Sequence, residues 1–188
     1  MKRLFAILAL CTALLGCAVV GNAVDRTTME VQGTALFMAG EITSRTPANF
    51  ERLLAENPQV RTIVLTNMSG SLDDGAVQRM GYHLRNAGMN TRLTAQSEIY
   101  SGAVDLFLAG SRRSMAPGAV IGVHAWADGF GAAGDYPPDA PEHQALVQYT
   151  RNMLGSDSFY WFTLQAAPPS GIHIMSAAEI AHFGLLTE

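Results

Sequence analysis

From Thr34 onward, short apolar runs rich in β-branched residues alternate with stretches of helical period. Residues 35–38 (ALFM) predict a strand ended by Gly40, and residues 47–56 a helix closed by Asn57 and Pro58. The run 60–66 (VRTIVLT) predicts a fully buried strand, with a polar loop over 67–74 behind it. Asp73 or Asp74 is placed to cap a helix running to Asn86, which Gly88 ends. Residues 91–95 predict a third strand, 101–109 a short apolar helix stopped by Gly110, and 119–123 (AVIGV) a fourth strand. Strands and helices in strict alternation favour an α/β fold with a mostly parallel sheet and flanking helices. Ligands in such sheets sit beyond the carboxyl ends of the strands, which directs attention to the loops 67–74, 96–102 and 124–141.

Past His124 the pattern changes. Residues 128–141 (DGFGAAGDYPPDAP) are too rich in Gly and Pro for a regular element, and a connection of this length is often a lid or a binding loop. Helical stretches over 142–154, 158–166 and 177–183 complete the chain, with no internal repeat.

The first residues follow other rules. Lys2 and Arg3 precede an uncharged apolar run from Leu4 to Leu15, too short for a helix crossing a bilayer, which needs about 20 residues. A basic start, a short apolar middle and a small residue before a cut are the pattern of an export signal. The stretch Leu14-Leu15-Gly16-Cys17 resembles the bacterial lipobox, which implies cleavage before Cys17 and its acylation. Two or more acyl chains would hold the protein stably on a membrane. The expected organisation is a signal over 1–16, a tether over 17–30 and one domain over 31–188. Expected localisation is the periplasm, anchored by lipid with the outer membrane favoured; a plain secretory signal giving a soluble periplasmic protein is the alternative. Cys11 lies within the signal, so cleavage leaves Cys17 no disulfide partner.

The chain has 188 residues, 48% hydrophobic and 15% charged, with a net charge of −4. That is the composition of an ordinary globular domain, and its acidity argues against a nucleic-acid partner. No His, Cys or acidic residues stand at convincing metal-ligand spacing, so no metal and no cofactor is expected.

Candidate chemistry gathers at three strand ends. Ser101 opens a helix after a strand, where backbone N–H groups point outward, and Gly102 behind it leaves room for a substrate and a free N–H for an oxyanion. His124 sits just past the strand AVIGV, at the same sheet edge. Gly70, in the loop after the second strand, could supply a second donor. A nucleophile, a base and two donors from three loops is the arrangement that acyl transfer requires.

Here the sequence resembles the Clp protease proteolytic subunit, within the wider Clp/crotonase superfamily. Five stretches match in order: Phe37-Met38-Ala39-Gly40-Glu41-Ile42; Val64 to Ser71; Ser101-Gly102 with Phe107-Leu108-Ala109-Gly110 and Arg112; Ile121-Gly122-Val123-His124; and Met175 to Glu179 with Phe183-Gly184-Leu185. The resemblance implies a Clp/crotonase-like spiral fold, Ser101 as nucleophile, His124 as general base, and the N–H groups of Gly70 and Gly102 as the oxyanion hole. Self-association into trimers or larger rings is also compatible with it.

Two positions depart from the family pattern. Ser71 stands in place of the second glycine of a Gly-Gly pair, where it would border the substrate pocket together with Trp126. The acid that should orient the histidine falls at Ile172, which accepts no hydrogen bond. By spacing the best substitute is Asp105, one helical turn after Ser101. Asp105 could instead pair with Arg112 or Arg113 for structural reasons, and Asp128 and Asp157 are further candidates.

Each residue also has a bland reading. Ser101 could be a helix cap, His124 a strand-end residue, and Phe159-Tyr160-Trp161-Phe162 a packing cluster. His83, His143, His173 and His182 read as surface or packing residues, and Asp73-Asp74 as a helix start. The expectation is an exported serine hydrolase acting on a peptide or acyl substrate through a Ser-His dyad or triad. The alternative is an inactive Clp-like binding or assembly module of the cell envelope. Crotonase-type acyl-CoA chemistry suits the oxyanion loops but not an exported protein.

Overall fold

The structure is a computed structural model that describes residues 25–188; Cys17 and the predicted signal lie outside them. Strands β1 (Arg26–Gln32) and β2 (Ala35–Ile42) form a hairpin. Helix α1 (Thr46–Glu56), strand β3 (Thr62–Ser71), helix α2 (Asp74–Asn86) and strand β4 (Asn90–Tyr100) follow. Next come helix α3 (Gly102–Leu108), the short strands β5 (Arg113–Met115) and β6 (Val120–Val123), and helices α4 (Pro141–Leu154) and α5 (Ser158–Ala166). Strand β7 (His173–Ile174) and helix α6 (Ala177–His182) close the chain.

The seven strands form one sheet in the order β1-β2-β3-β4-β6-β7, with β5 also paired to β4. Pairing is parallel from β2 through β6 and antiparallel only at the outer pairs β1–β2 and β6–β7. The core lies between this sheet and the helices, built from Leu36, Ile63, Leu65, Leu93, Ile99 and Ile121 of the strands and Phe50, Met80, Leu84 and Phe107 of the helices.

The elements differ from the sequence expectations in an instructive direction. β1 begins at Arg26, inside the stretch that reads as tether. Its polar residues alternate with Met29 and Val31, the pattern of a half-buried edge strand. Asp25 fixes its entry: Oδ1 accepts from Thr46 Oγ1 (2.8 Å) and the Thr27 N–H (3.1 Å), and Oδ2 accepts from Asn49 Nδ2 (2.6 Å). β3 and β4 run on through the polar segments that read as loops, to Ser71 and Tyr100. The register breaks between Leu65 and Asn67, where one residue of β3 (Thr66) stands opposite four of β4 (94 to 97), and Ser97 Oγ fills the irregularity by donating to the Leu65 carbonyl (2.6 Å). Strands that are apolar for only half their length are thereby kept in the sheet.

The extension aligns the strand ends. Tyr100 pairs with Gly122 and Met68 with Ile99, so the residues just past β4 and β6 and the last residues of β3 meet at one edge. Gly122 is the only residue type that fits there, because a Cβ would lie 2.5 Å from the Tyr100 ring and 2.8 Å from Ile172.

Candidate active site

Ser101 stands between β4 and α3 with φ 51° and ψ −131°, the only non-glycine residue of positive φ among the described residues. Such a conformation costs on the order of 1–3 kcal/mol and persists where the surroundings impose it. Here they do: the Ser101 N–H donates to the Gly122 carbonyl (3.1 Å), and the Ser101 carbonyl accepts from the Val104 N–H (2.8 Å). The serine is not a conventional helix cap, since its side chain makes no capping hydrogen bond. The sharp turn leaves Oγ free on the sheet edge.

Gly70 (φ 124°) lies directly against it: a Cβ at Gly70 would come within 3.0 Å of Ser101 Cβ and 3.6 Å of Ser101 Oγ. Gly102 is enclosed from the other side, where a Cβ would meet the Ser71 side chain. Both glycines are therefore required by close approach, and both backbones stand beside the hydroxyl. Ser71 does not line the cavity described below; its Oγ donates to Asp74 Oδ1 (3.1 Å) at the edge of the site.

Ser101, Gly102 and His124 share the wall of a cavity of about 50 Å³ with Asp74, Asp105, Trp126, Phe159 and Tyr160. His124 and Ser101 are not hydrogen-bonded to each other. His124 Nδ1 lies 2.8 Å from the Ala125 carbonyl, and since a carbonyl only accepts, Nδ1 carries the proton. The neutral ring then presents Nε2 as its basic nitrogen. Ala125 is itself held by its N–H donating to the Ala167 carbonyl (2.9 Å). A backbone carbonyl thus fixes the tautomer that a carboxylate would otherwise select.

This geometry changes the reading of the acids. Asp105 makes no hydrogen bond to His124, and it pairs with neither Arg112 nor Arg113. Arg113 donates to the carbonyls of Gly110, Gly184 and Leu185, and Arg112 reaches Glu188. Asp105 instead lines the cavity with its carboxyl unbonded, and burial followed by the charge of Asp74 pushes it up to about 8. Asp74 is an exposed residue, yet desolvation of its carboxyl beside the cavity raises it as well, although the Ser71 hydroxyl opposes the shift. Asp128 Oδ1 accepts from the N–H groups of Phe130 and Gly131 in its own turn, and Asp157 bonds Arg151 and Trp161. Ile172 is about half exposed beside β6 and offers nothing to the ring.

Trp126, expected at the pocket, lines the cavity, and the partners that hold it there are not evident from the sequence. Trp126 Nε1 donates to Tyr160 Oη (2.8 Å), which bonds the buried His143 in turn, and Tyr136 packs on Trp126. This aromatic group ties the 124–141 segment to α4 and α5 over the cavity. Phe159 and Tyr160 thus line the cavity while Phe162 packs on Phe183, so the four-residue cluster does more than pack. Burial, with the charges of Asp105 and Asp74, pushes Tyr160 up to about 12, and it stays a neutral hydroxyl. Of the adjacent acids, Asp73 caps α2 through the Ala76 N–H (3.0 Å), and Asp74 faces the cavity.

No protein-family model matches the chain, and no curated protein matches it. Solved structures do. The membrane-bound stomatin-specific protease 1510-N, in a serine-to-alanine mutant, is 16% identical with a TM-score of 0.55, over 81% of this chain and 76% of that one. A lysine-to-alanine mutant of the same protease, in complex with a substrate peptide, gives 16% and 0.55 over 81% and 72%. A putative enoyl-CoA hydratase from Streptomyces avermitilis is 13% identical with a TM-score of 0.53, over 87% of this chain and 66% of that one. The architecture common to them is the Clp/crotonase fold, and this chain has it.

Proposed function

We propose that the protein is a serine hydrolase of the cell envelope that cleaves peptide or ester bonds. The observation that carries the reading is the conformation of Ser101: a strained serine with a free hydroxyl, Gly70 pressed against it, in the wall of a cavity that also holds His124. In the mechanism His124 Nε2 takes the Ser101 proton, Oγ attacks the carbonyl carbon, and the protonated ring delivers the proton to the leaving group. The N–H groups of Gly70 and Gly102 receive the oxyanion, each worth roughly 3 kcal/mol in the transition state. A lysine base has no candidate in the domain, because the sole lysine of the chain is Lys2. For the proton transfer Nε2 must come to Ser101 Oγ while Nδ1 keeps its bond to the Ala125 carbonyl. Peptide binding by a structural neighbour favours a peptide substrate over an acyl-CoA.

The same proposal includes export and acylation at Cys17. The test is labelling of the purified domain with a fluorophosphonate probe and turnover of activated esters. Wild type is expected to label and Ser101→Ala to lose turnover by a factor on the order of 10⁶ if the groups act as a unit. Folded wild-type protein that neither labels nor turns over would leave the rival reading, a binding module that has kept the fold.

A further inference from the structure

The two carboxyl groups of the cavity have no role in the mechanism above. Asp74 comes from the first turn of α2 and Asp105 from α3, and both reach the space beside Ser101. No arginine or lysine lines that space. Asp105 makes no side-chain hydrogen bond or ion pair; it is half-buried, lines the cavity, and its carboxyl is desolvated by the protein around it. Burying an unpartnered carboxyl is unfavourable, and the usual remedies are a cation or a proton. Part of the wall around the acids is apolar: Val104, Val123, Leu146 and Phe159. The volume of about 50 Å³ takes about three to five heavy atoms, at about 10–15 Å³ for each water-sized occupant.

A small cavity of mixed apolar and polar lining, with two acids in its wall and a candidate nucleophile beside them, suits one kind of group. We propose that this cavity binds a cationic alkyl side chain, an alkylammonium of the lysine type, with Asp105 and Asp74 receiving its charge. The proposal rests on the hydrolase reading only for calling the cavity a specificity pocket; binding itself needs no turnover.

The chemistry of entry is defined. In the empty pocket Asp105 holds a proton up to about pH 8. An arriving ammonium forms a charge-assisted pair with the carboxylate, and the displaced proton leaves to solvent. Below that pH the affinity should therefore rise with pH, by about tenfold per unit below pH 7, and level off above about 8. The other titratable groups facing Asp105 are Asp74 of α2, Tyr160 of α5, Tyr149 of α4, whose hydroxyl donates to the Asp105 carbonyl, and His124 after β6. The tyrosines stay neutral across this range. The Asp105→Asn comparison isolates the part of the pH dependence that belongs to Asp105.

The experiment is calorimetric titration of the whole domain with n-butylammonium, and with 1-butanol as the neutral isostere, in two buffers of different ionisation enthalpy. Wild type should bind the ammonium at least tenfold more tightly than the alcohol and release close to one proton per ligand at pH 7. Asp105→Asn should abolish the proton release and flatten the pH dependence; Asp74→Asn should weaken binding and keep the release. Proton release by wild type alone carries the test if either variant fails to fold. Equal binding of amine and alcohol, or a release unchanged in Asp105→Asn, would overturn the proposal. Paired lysyl and norleucyl esters separate it from the hydrolase reading. Turnover without preference sinks the pocket and leaves the hydrolase, whereas ammonium binding with proton release and no turnover of either ester sinks the hydrolase and leaves the pocket.

Discussion

Ser101 combines a strained backbone with a hydroxyl that contributes no hydrogen bond to the fold. A residue in that position serves something other than stability, and its replacement should reveal the cost of keeping it. Glycine adopts the same dihedrals freely, so Ser101→Gly relieves on the order of 1–3 kcal/mol of strain against roughly 0.5–1 kcal/mol of added chain entropy. The expected outcome is a domain about 1 kcal/mol more stable, melting about 2–4 °C higher by calorimetry, and without turnover. A lower melting temperature would mean that the strain is not there. His124 illustrates a different economy at the same scale. With Ile172 in place of an acid, the imidazole is held through Nδ1 by the carbonyl of its own neighbour, a group that every residue type carries. No sequence pattern can advertise such a partner, which is why spacing alone points to Asp105 and the geometry does not.

At the scale of elements, the buried strands are legible and the edges are not. The runs 60–66 and 119–123 coincide with the apolar halves of β3 and with β6, because continuous burial writes a continuous apolar pattern. β1, β5 and β7 are short or half-exposed, and the polar ends of β3 and β4 are held by main-chain pairing, which leaves no periodicity to read. The helix boundaries were better marked: Asn57, Gly88 and Gly155 follow helix ends, and Asp73 caps α2. The neighbouring acids should separate by function. Asp73→Ala removes the cap on the Ala76 N–H and should destabilise the domain by about 1 kcal/mol in denaturant titration while leaving the cavity unaltered. A loss of n-butylammonium binding in folded Asp73→Ala would show that the division between the two acids is wrong.

For the whole molecule, the order of five short sequence matches carried the Clp/crotonase fold, because strand order and the glycines at close approaches are constrained together even where identity falls to 13–16%. Of the covering aromatic group only Trp126 was legible; its linkage to Tyr160 and His143 was not, since the three meet only after the chain has folded. The proposed place of the domain in the envelope depends on Cys17. Cys17→Ser is expected to move the protein from the membrane pellet to the soluble fraction and to abolish incorporation of labelled palmitate; unaltered fractionation would remove the lipid anchor from the proposal.

The clamp at Asp25 bears on how such an attachment would be withstood mechanically. β1 is an outer strand paired antiparallel to β2, a geometry in which traction on its leading end would unzip the ladder one rung at a time. Before the first rung stand the Thr27, Thr46 and Asn49 bonds to a single carboxylate, which fasten that end to the start of α1 as well as to its own strand. Tension arriving from the N-terminal side would therefore be shared with a helix seated on the core, and the sheet would be shielded from peeling.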